Sequence, residues 1–362
     1  MSLIPWWKID LGQTEIKKIV DSINNRCVTQ GSVTEELEVC LAELLNVPYV
    51  VLTTNGSSAL LMALLAFGVN PGDEVIVPGL TFVATAQAPL LLGAKIKLVD
   101  VGLDKPVIDV GKLEKAITAK TKAIIPVHLN GRAADIKRIN KIAAKYGIKV
   151  IEDAVQAFGV KVNGSYLGTQ SDLGVFSLGI TKLITSIRGG FLAVKDKTLA
   201  KKLKKIRNHG LSSSSNYSSS DIMGFNFEFN DVLASVGLVQ TQKIKEKIKF
   251  QKNIYAFYKQ ALKDLNYIKI IKVDIEKGEL PLWMEVVCKK RDKLIDLLKT
   301  MHIQAKPFYP ALSSLSYLKN KESLDNSKFY ASCGLILPSG DGQSRKNLEK
   351  VVKALRSISS YF

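Results

Sequence analysis

Along the first two hundred residues, short apolar runs alternate with stretches of helical period. Residues 49–53, 74–78, 96–99, 148–151 and 173–176 are apolar runs rich in β-branched residues and bounded by turn formers. That pattern predicts strands buried on both faces of a parallel sheet. Residues 122–132 hold another strand and its exit loop. Helical period recurs at 14–23, where Ile16, Ile19, Val20 and Ile23 share a face, and again at 33–45, 59–67 and 134–146. Alternating strands and helices imply an α/β fold with a mainly parallel, doubly wound sheet. A strand at 189–194 and a basic helix at 199–207 follow. The helix 232–242 aligns Val232, Leu233, Val236 and Val239. Beyond about residue 245 a long basic helix leads into a smaller α+β unit, with strands at 267–271 and 284–287 and a helix at 291–301. The expected division is an N-terminal arm and large unit over 1–244 and a small unit over 245–362.

The carboxyl ends of strands in such a sheet are where ligands bind. The run 148–151 ends at Glu152-Asp153, the run 173–176 ends at Ser177, and Lys182 follows in a Gly/Thr-rich segment. One rim therefore collects a carboxylate, a hydroxyl and an amine. Taken alone, Asp153 and Lys182 read more simply as a structural ion pair than as a reacting pair. A second junction, Asn55-Gly56-Ser57-Ser58, lies between the strand 49–53 and an apolar helix. Glycine permits close backbone approach there, and free amides with the helix dipole favour an anion. The same residues also read as a simple N-cap. The spacing is not that of a Walker loop, and no G-x-G-x-x-G follows the first strand.

Composition narrows the classes. The chain has 362 residues, 46% of them hydrophobic, enough for a large core. It contains no apolar run of about 18 residues and no signal-peptide pattern at its start. Cys27, Cys40, Cys288 and Cys333 lack CxxC spacing, and with only three histidines no metal site is expected. A cytoplasmic protein with free thiols and no membrane partner is the simplest reading. The net charge of +18 comes from lysines spread along helices. This indicates a solvated basic surface rather than a nucleic-acid site, and a field that favours anionic substrates.

The motifs add a family. Glu152-Asp153-Ala154-Val155-Gln156-Ala157-Phe158-Gly159 followed by Phe176-Ser177-Leu178-Gly179-Ile180-Thr181-Lys182 resembles the pyridoxal-phosphate-dependent sugar aminotransferases of the DegT/DnrJ type. The resemblance runs from Ile4-Pro5 to Leu337-Pro338-Ser339. It implies an aspartate-aminotransferase-like fold (fold type I), with the strand 189–194 as its one antiparallel member. It also implies pyridoxal 5'-phosphate as cofactor, joined to Lys182 as a Schiff base. By the same resemblance Asp153 keeps the pyridine nitrogen protonated, Gln156 contacts the ring's phenolic oxygen side, and Phe82 stacks on the ring. Gly56, Ser57 and Ser177 hold the phosphate. Asn226, in Gly224-Phe225-Asn226-Phe227, reaches the phosphate of a partner subunit, which implies a homodimer with shared sites. A serine-rich loop, 212–220, lies by resemblance near the neighbouring active site. His128 matches a family histidine, and Lys306-Pro307-Phe308-Tyr309-Pro310 a substrate-proximal loop, with Trp283 in the comparable earlier segment. Each of these is equally compatible with packing.

The implied activity transfers an amino group from L-glutamate to a nucleotide-linked keto-sugar, commonly in cell-surface polysaccharide synthesis. Two alternatives stay open, a catalytically silent or regulatory protein of this fold and a pyridoxal-phosphate enzyme acting on a small amino acid. Several positions depart from the family pattern. Gly179-Ile180 replaces His-Pro, Leu183 replaces Asn, Arg188 replaces Glu, and Glu228 replaces Arg. Lys182 itself is present, which favours transamination over the dehydratases that carry His there.

Overall fold

A computed structural model describes residues 2–211, 220, 222–318 and 322–362. Two helices, α1 (Gln13–Asn24) and α2 (Ser32–Leu45), precede the first strand, β1 (Tyr49–Thr53). Strands and helices then alternate: α3 (Gly56–Ala66), β2 (Glu74–Pro78), α4 (Ala84–Leu91), β3 (Lys95–Val99), the single turn α5 (Val110–Leu113), β4 (Thr121–Ile124), α6 (Ile136–Tyr146) and β5 (Lys149–Asp153). A small hairpin, β6 (Lys161–Val162) and β7 (Ser165–Tyr166), leads to β8 (Leu173–Ser177) and β9 (Gly190–Val194). The sheet order is β1-β9-β8-β5-β4-β2-β3, and β9 runs antiparallel to both neighbours while the other pairs are parallel. The mainly parallel α/β sheet expected from the strand–helix alternation is the one observed.

Successive strand residues feed two different cores, as the two-residue period requires. Val50, Leu52, Ile76, Ile124, Val150 and Phe176 pack on one face, and Val51, Val75, Val77, Ala123, Ile151 and Val175 on the other. Burial on both faces explains why these strands read as continuous apolar runs rather than alternating ones.

After α7 (Lys197–Arg207) and α8 (Asp231–Gln242), Lys243 marks the start of α9 (Ile244–Ala261). The remainder builds a second, antiparallel sheet from β10 (Lys269–Ile270), β11 (Met284–Val287), β12 (Lys306–Pro307) and β13 (Gly334–Leu337), ordered β10-β11-β13-β12. The helices α10 (Arg291–Thr300), α11 (Asp325–Cys333) and α12 (Arg345–Ser357) complete this part. The N-terminal arm docks here. Ile4 N–H donates to His302 O (2.9 Å), Gln304 N–H to Ile4 O (2.9 Å) and Ser339 N–H to Trp6 O (2.9 Å).

Helix α3 starts three residues before the apolar pattern does, because Asn55 Oδ1 accepts the Ser58 N–H (2.9 Å) and caps it. That shift places Gly56 and Ser57 in the first turn, beside the carboxyl end of the sheet.

One loop clips the two sheets together. Arg132 is fully buried, and its guanidinium donates to Glu285 Oε2 (2.5 Å), Lys272 O (2.8 Å) and Ile271 O (3.0 Å). A buried charge left without its partner is costly. Glu285→Ala is therefore expected to lower unfolding stability by about 3–5 kcal/mol in urea titration. A loss below about 1 kcal/mol, the range of exposed pairs, would contradict this role.

Candidate active site

A cavity of about 490 Å³ opens at the carboxyl edge of the large sheet, between it and the segment 283–309. Its wall includes Gly56, Ser57, Phe82, Asp153, Gln156, Ser177 and Lys182, seven of the eight positions singled out from sequence. The eighth, Asn226, stands on the exposed surface away from this wall, with its Oδ1 accepting the Glu228 N–H (3.2 Å). The serine-rich loop lies outside the described residues except for Ser220.

Asp153 is the last residue of β5 and is 4% exposed. Thr85 Oγ1 donates to its Oδ2 (2.9 Å) and the Val155 N–H to its Oδ1 (3.2 Å). Burial pushes its carboxyl above the usual carboxylate range, against the pull of those two donors and of the charge on Lys182. The neighbouring residue has a different task. Glu152 points away into the core, where Oε2 accepts from Gly168 N–H (2.8 Å) and Oε1 from Gln170 and Ser171 N–H (both 2.6 Å). Its Oε2 also bonds His128 Nε2 (2.9 Å). Since His128 Nδ1 accepts from Ala134 N–H (3.2 Å), the ring proton belongs on Nε2. Burial raises the Glu152 carboxyl, but His128 and the backbone donors outweigh it and hold the group below its usual range. His128 is thus a core hydrogen-bond partner that anchors β5 and with it Asp153.

Lys182 has its pKa pushed down to about 8. Burial is the main cause, the Lys306 charge adds to it, and Asp153 opposes it. Its Nζ lies 5.1 Å from the centroid of the Trp283 ring, and the Trp283 indole N–H donates to Thr181 O (3.1 Å). Trp7 Nε1 donates to Ile180 O (3.0 Å), so two indoles hold the backbone that carries the lysine. Trp6 packs edge-on to Trp283 (6.1 Å) and lies beneath Lys306 Nζ (4.6 Å).

Gly56 and Gly190 let this corner close. A Cβ on Gly190 would lie 2.3 Å from Asn55 C, and one on Gly56 would lie 3.1 Å from Val155 Cγ2. Ser177 Oγ accepts the Gly179 N–H (3.2 Å) on the same side. Phe82 is half exposed at the mouth, edge-on to Tyr309 (5.6 Å between centroids).

Sequence reasoning left Trp283, Lys306 and Tyr309 undecided, and all three line the cavity. It missed Trp6, Thr81 and Thr85. A hydroxyl four residues after another, in Thr81-Phe82-Val83-Ala84-Thr85, was the available signal for Thr85. Arg188, noted only as a departure, also lines the wall.

An ammonium must lose its proton to act as a nucleophile, and a lowered pKa brings that change near neutrality. The rate at which Lys182 reacts with an aldehyde is expected to rise with pH through a midpoint near 8. Stopped-flow mixing with a pyridoxal aldehyde over a pH series checks this. A midpoint near the ordinary lysine value, about 10.4, would contradict it.

Over residues 10–356 the chain matches the sequence model of the DegT/DnrJ/EryC1/StrS aminotransferase family. It is 34% identical over 344 residues to the dTDP-4-amino-4,6-dideoxy-D-glucose transaminase of Shigella dysenteriae, covering 92% of each chain. It is 32% identical over 333 residues to the GDP-perosamine synthase of Caulobacter vibrioides, covering 89% of each. Among solved structures, Spr1654 of Streptococcus pneumoniae in its PMP form superposes with a TM-score of 0.92 at 25% identity, over 99% of this chain and 98% of that one.

Proposed function

The chain belongs to the DegT/DnrJ/EryC1/StrS aminotransferase family, and on that premise we propose that it moves an amino group from L-glutamate to a nucleotide-linked keto-sugar, with Lys182 as the residue that attaches pyridoxal 5'-phosphate. It is a pyridoxal-phosphate-dependent sugar aminotransferase of that family. The observation that carries the finer reading is that one cavity gathers Asp153, Lys182, Ser177 and the first turn of α3.

These residues suit the cofactor chemically. Asp153 is a buried carboxylate facing the cavity, bonded by a hydroxyl and an amide rather than by a cation. A protonated pyridine nitrogen would offset the cost of its burial. The first turn of α3 offers amides toward the space beside Ser177, and Gly56 leaves room for an anion to approach them. When bound, the cofactor supplies a ring that stores the amino group and accepts electrons from the reacting carbon.

The chain's own residues do the rest. Asp153 would hold the proton on the ring nitrogen. Gly56, Ser57 and Ser177 would bind the phosphate, and Phe82 would lie against the ring. Lys182, neutral near its lowered pKa, would hold the cofactor and then carry a proton to and from the reacting carbon at Nζ. Trp6 and Trp283 would keep water from that amine. At the mouth, Arg188 and Lys306 face the cavity beside Lys182, two cations against one wall carboxylate, Asp153. A positive mouth suits the phosphates of a nucleotide-linked sugar and the carboxylates of glutamate. A homodimer fits the exposed apolar face of α1, where Ile16, Val20 and Ile23 are each about half exposed. Asn226 from the second copy would complete the phosphate site.

Incubation with glutamate carrying heavy nitrogen and either GDP- or dTDP-linked keto-sugars tests the reading by mass spectrometry. Label is expected in one of the nucleotide sugars and absent with Lys182→Ala. Asp153→Ala is expected to slow transfer by roughly three powers of ten, about 4 kcal/mol of barrier. Label in neither sugar class would contradict the proposed acceptor. Undiminished transfer by Lys182→Ala would remove that residue from the chemistry.

A further inference from the structure

The loop that carries Arg132 also carries Asn130, a residue outside the cavity wall that makes three hydrogen bonds to two residues lining it. Asn130 is fully buried and lies in the left-handed region (φ 54°, ψ 37°), which asparagine tolerates better than most residues. Its side chain grips the backbone of Trp283 at two points. Nδ2 donates to Trp283 O (3.0 Å), and Oδ1 accepts the Trp283 N–H (2.6 Å). Its own backbone N–H donates to Gln156 Oε1 (2.8 Å). The next residue, Gly131, also has positive φ, and a Cβ there would meet Leu280 O at 1.8 Å. The loop is therefore seated directly on the segment that leads to Trp283.

Two consequences follow from hydrogen-bond polarity. A backbone N–H can only donate, so the Gln156 atom it meets must be the carbonyl oxygen. The Gln156 NH₂ is then turned the other way, toward Tyr309 OH (3.4 Å) and the cavity. Gln156 thus presents a donor, the polarity that an anionic ring oxygen requires. At the same time the two-point grip sets the depth of Trp283, whose ring lies against Lys182 Nζ and whose indole N–H holds Thr181 O.

We propose that Asn130 is a positioning residue for the transamination. It locks Trp283 against Lys182 and fixes Gln156 as a donor, joining the small sheet to the reacting centre. This rests on the cofactor placement proposed above. Small displacements of groups around a reacting centre carry large rate penalties, up to about a hundredfold for 1 Å.

The test compares wild type with Asn130→Gly and Asn130→Asp. Glycine accepts the positive φ and keeps the N–H to Gln156 but deletes the grip on Trp283. Aspartate keeps the acceptor for Trp283 N–H but sets a carboxylate oxygen against Trp283 O. Both variants are expected to fold, judged by far-ultraviolet circular dichroism, and to retain cofactor. Without cofactor, their tryptophan emission should shift to the red as Trp283, 4% exposed in the native chain, gains solvent. With cofactor, the visible dichroism of the bound ring should weaken. Their kcat should fall by about 10- to 100-fold, Asn130→Asp more than Asn130→Gly, with KM for the sugar changed less.

Wild-type emission, dichroism and kcat in Asn130→Gly would overturn the proposal. So would a red shift with unchanged kcat, because Trp283 would then be held for stability alone. Should Asn130→Gly fail to fold, the isosteric Asn130→Asp decides the matter by the same readings. If wild type itself gives no visible cofactor band, the function proposed above fails, and the emission shift still reports on the grip.

Discussion

The site depends on keeping a carboxylate and an amine at one sheet edge without letting them neutralise each other. Asp153 spends its oxygens on Thr85 and the Val155 amide, and Lys182 lies over Trp283 instead of on the carboxylate. Desolvation then acts on both, raising the acid and lowering the amine. A direct ion pair would hold the lysine charged and remove the cation-free carboxylate that a protonated ring nitrogen needs. The separation is a property of the scaffold, since each group is fixed by neighbours from other elements.

That scaffold is built from buried polar bonds as much as from apolar packing. The Glu152–His128 pair, closed by three backbone donors, pins the end of β5 from the core side. The loop 128–132 then spans to the small sheet through Asn130 and Arg132. The arm around Trp6 and Trp7 returns from the chain's start to hold the lysine-bearing loop. Three segments far apart in sequence thus converge on one amine. Such networks are costly when partly satisfied and rigid when complete.

The sheet edge was legible in the sequence because strands buried on both faces leave continuous apolar runs, and their polar end residues stand out. Asp153, Ser177 and Lys182 are visible for that reason. The start of α3 is less legible, since Gly56, Ser57 and Ser58 carry no apolar period and only the Asn55 cap marks the turn. Trp6 and Asn130 left no usable signal, because their roles come from contacts across the fold rather than from local spacing, while Thr85 left only the four-residue hydroxyl spacing from Thr81. The arm reads as a leader to the large unit, yet its hydrogen bonds run to residues 302–304 and 339, a pairing that no local pattern encodes. Family motifs recovered the roles proposed for Gln156 and Phe82, which composition alone would assign to packing.

The claim that everything turns on Lys182 is tested most directly by chemical trapping. The protein is loaded with pyridoxal phosphate, reduced with borohydride, digested, and mapped by mass spectrometry. The account requires the reduced adduct on the peptide that contains Lys182, and its loss in Lys182→Ala at unchanged fold. An adduct carried mainly by another lysine, or the same yield in Lys182→Ala, would contradict it.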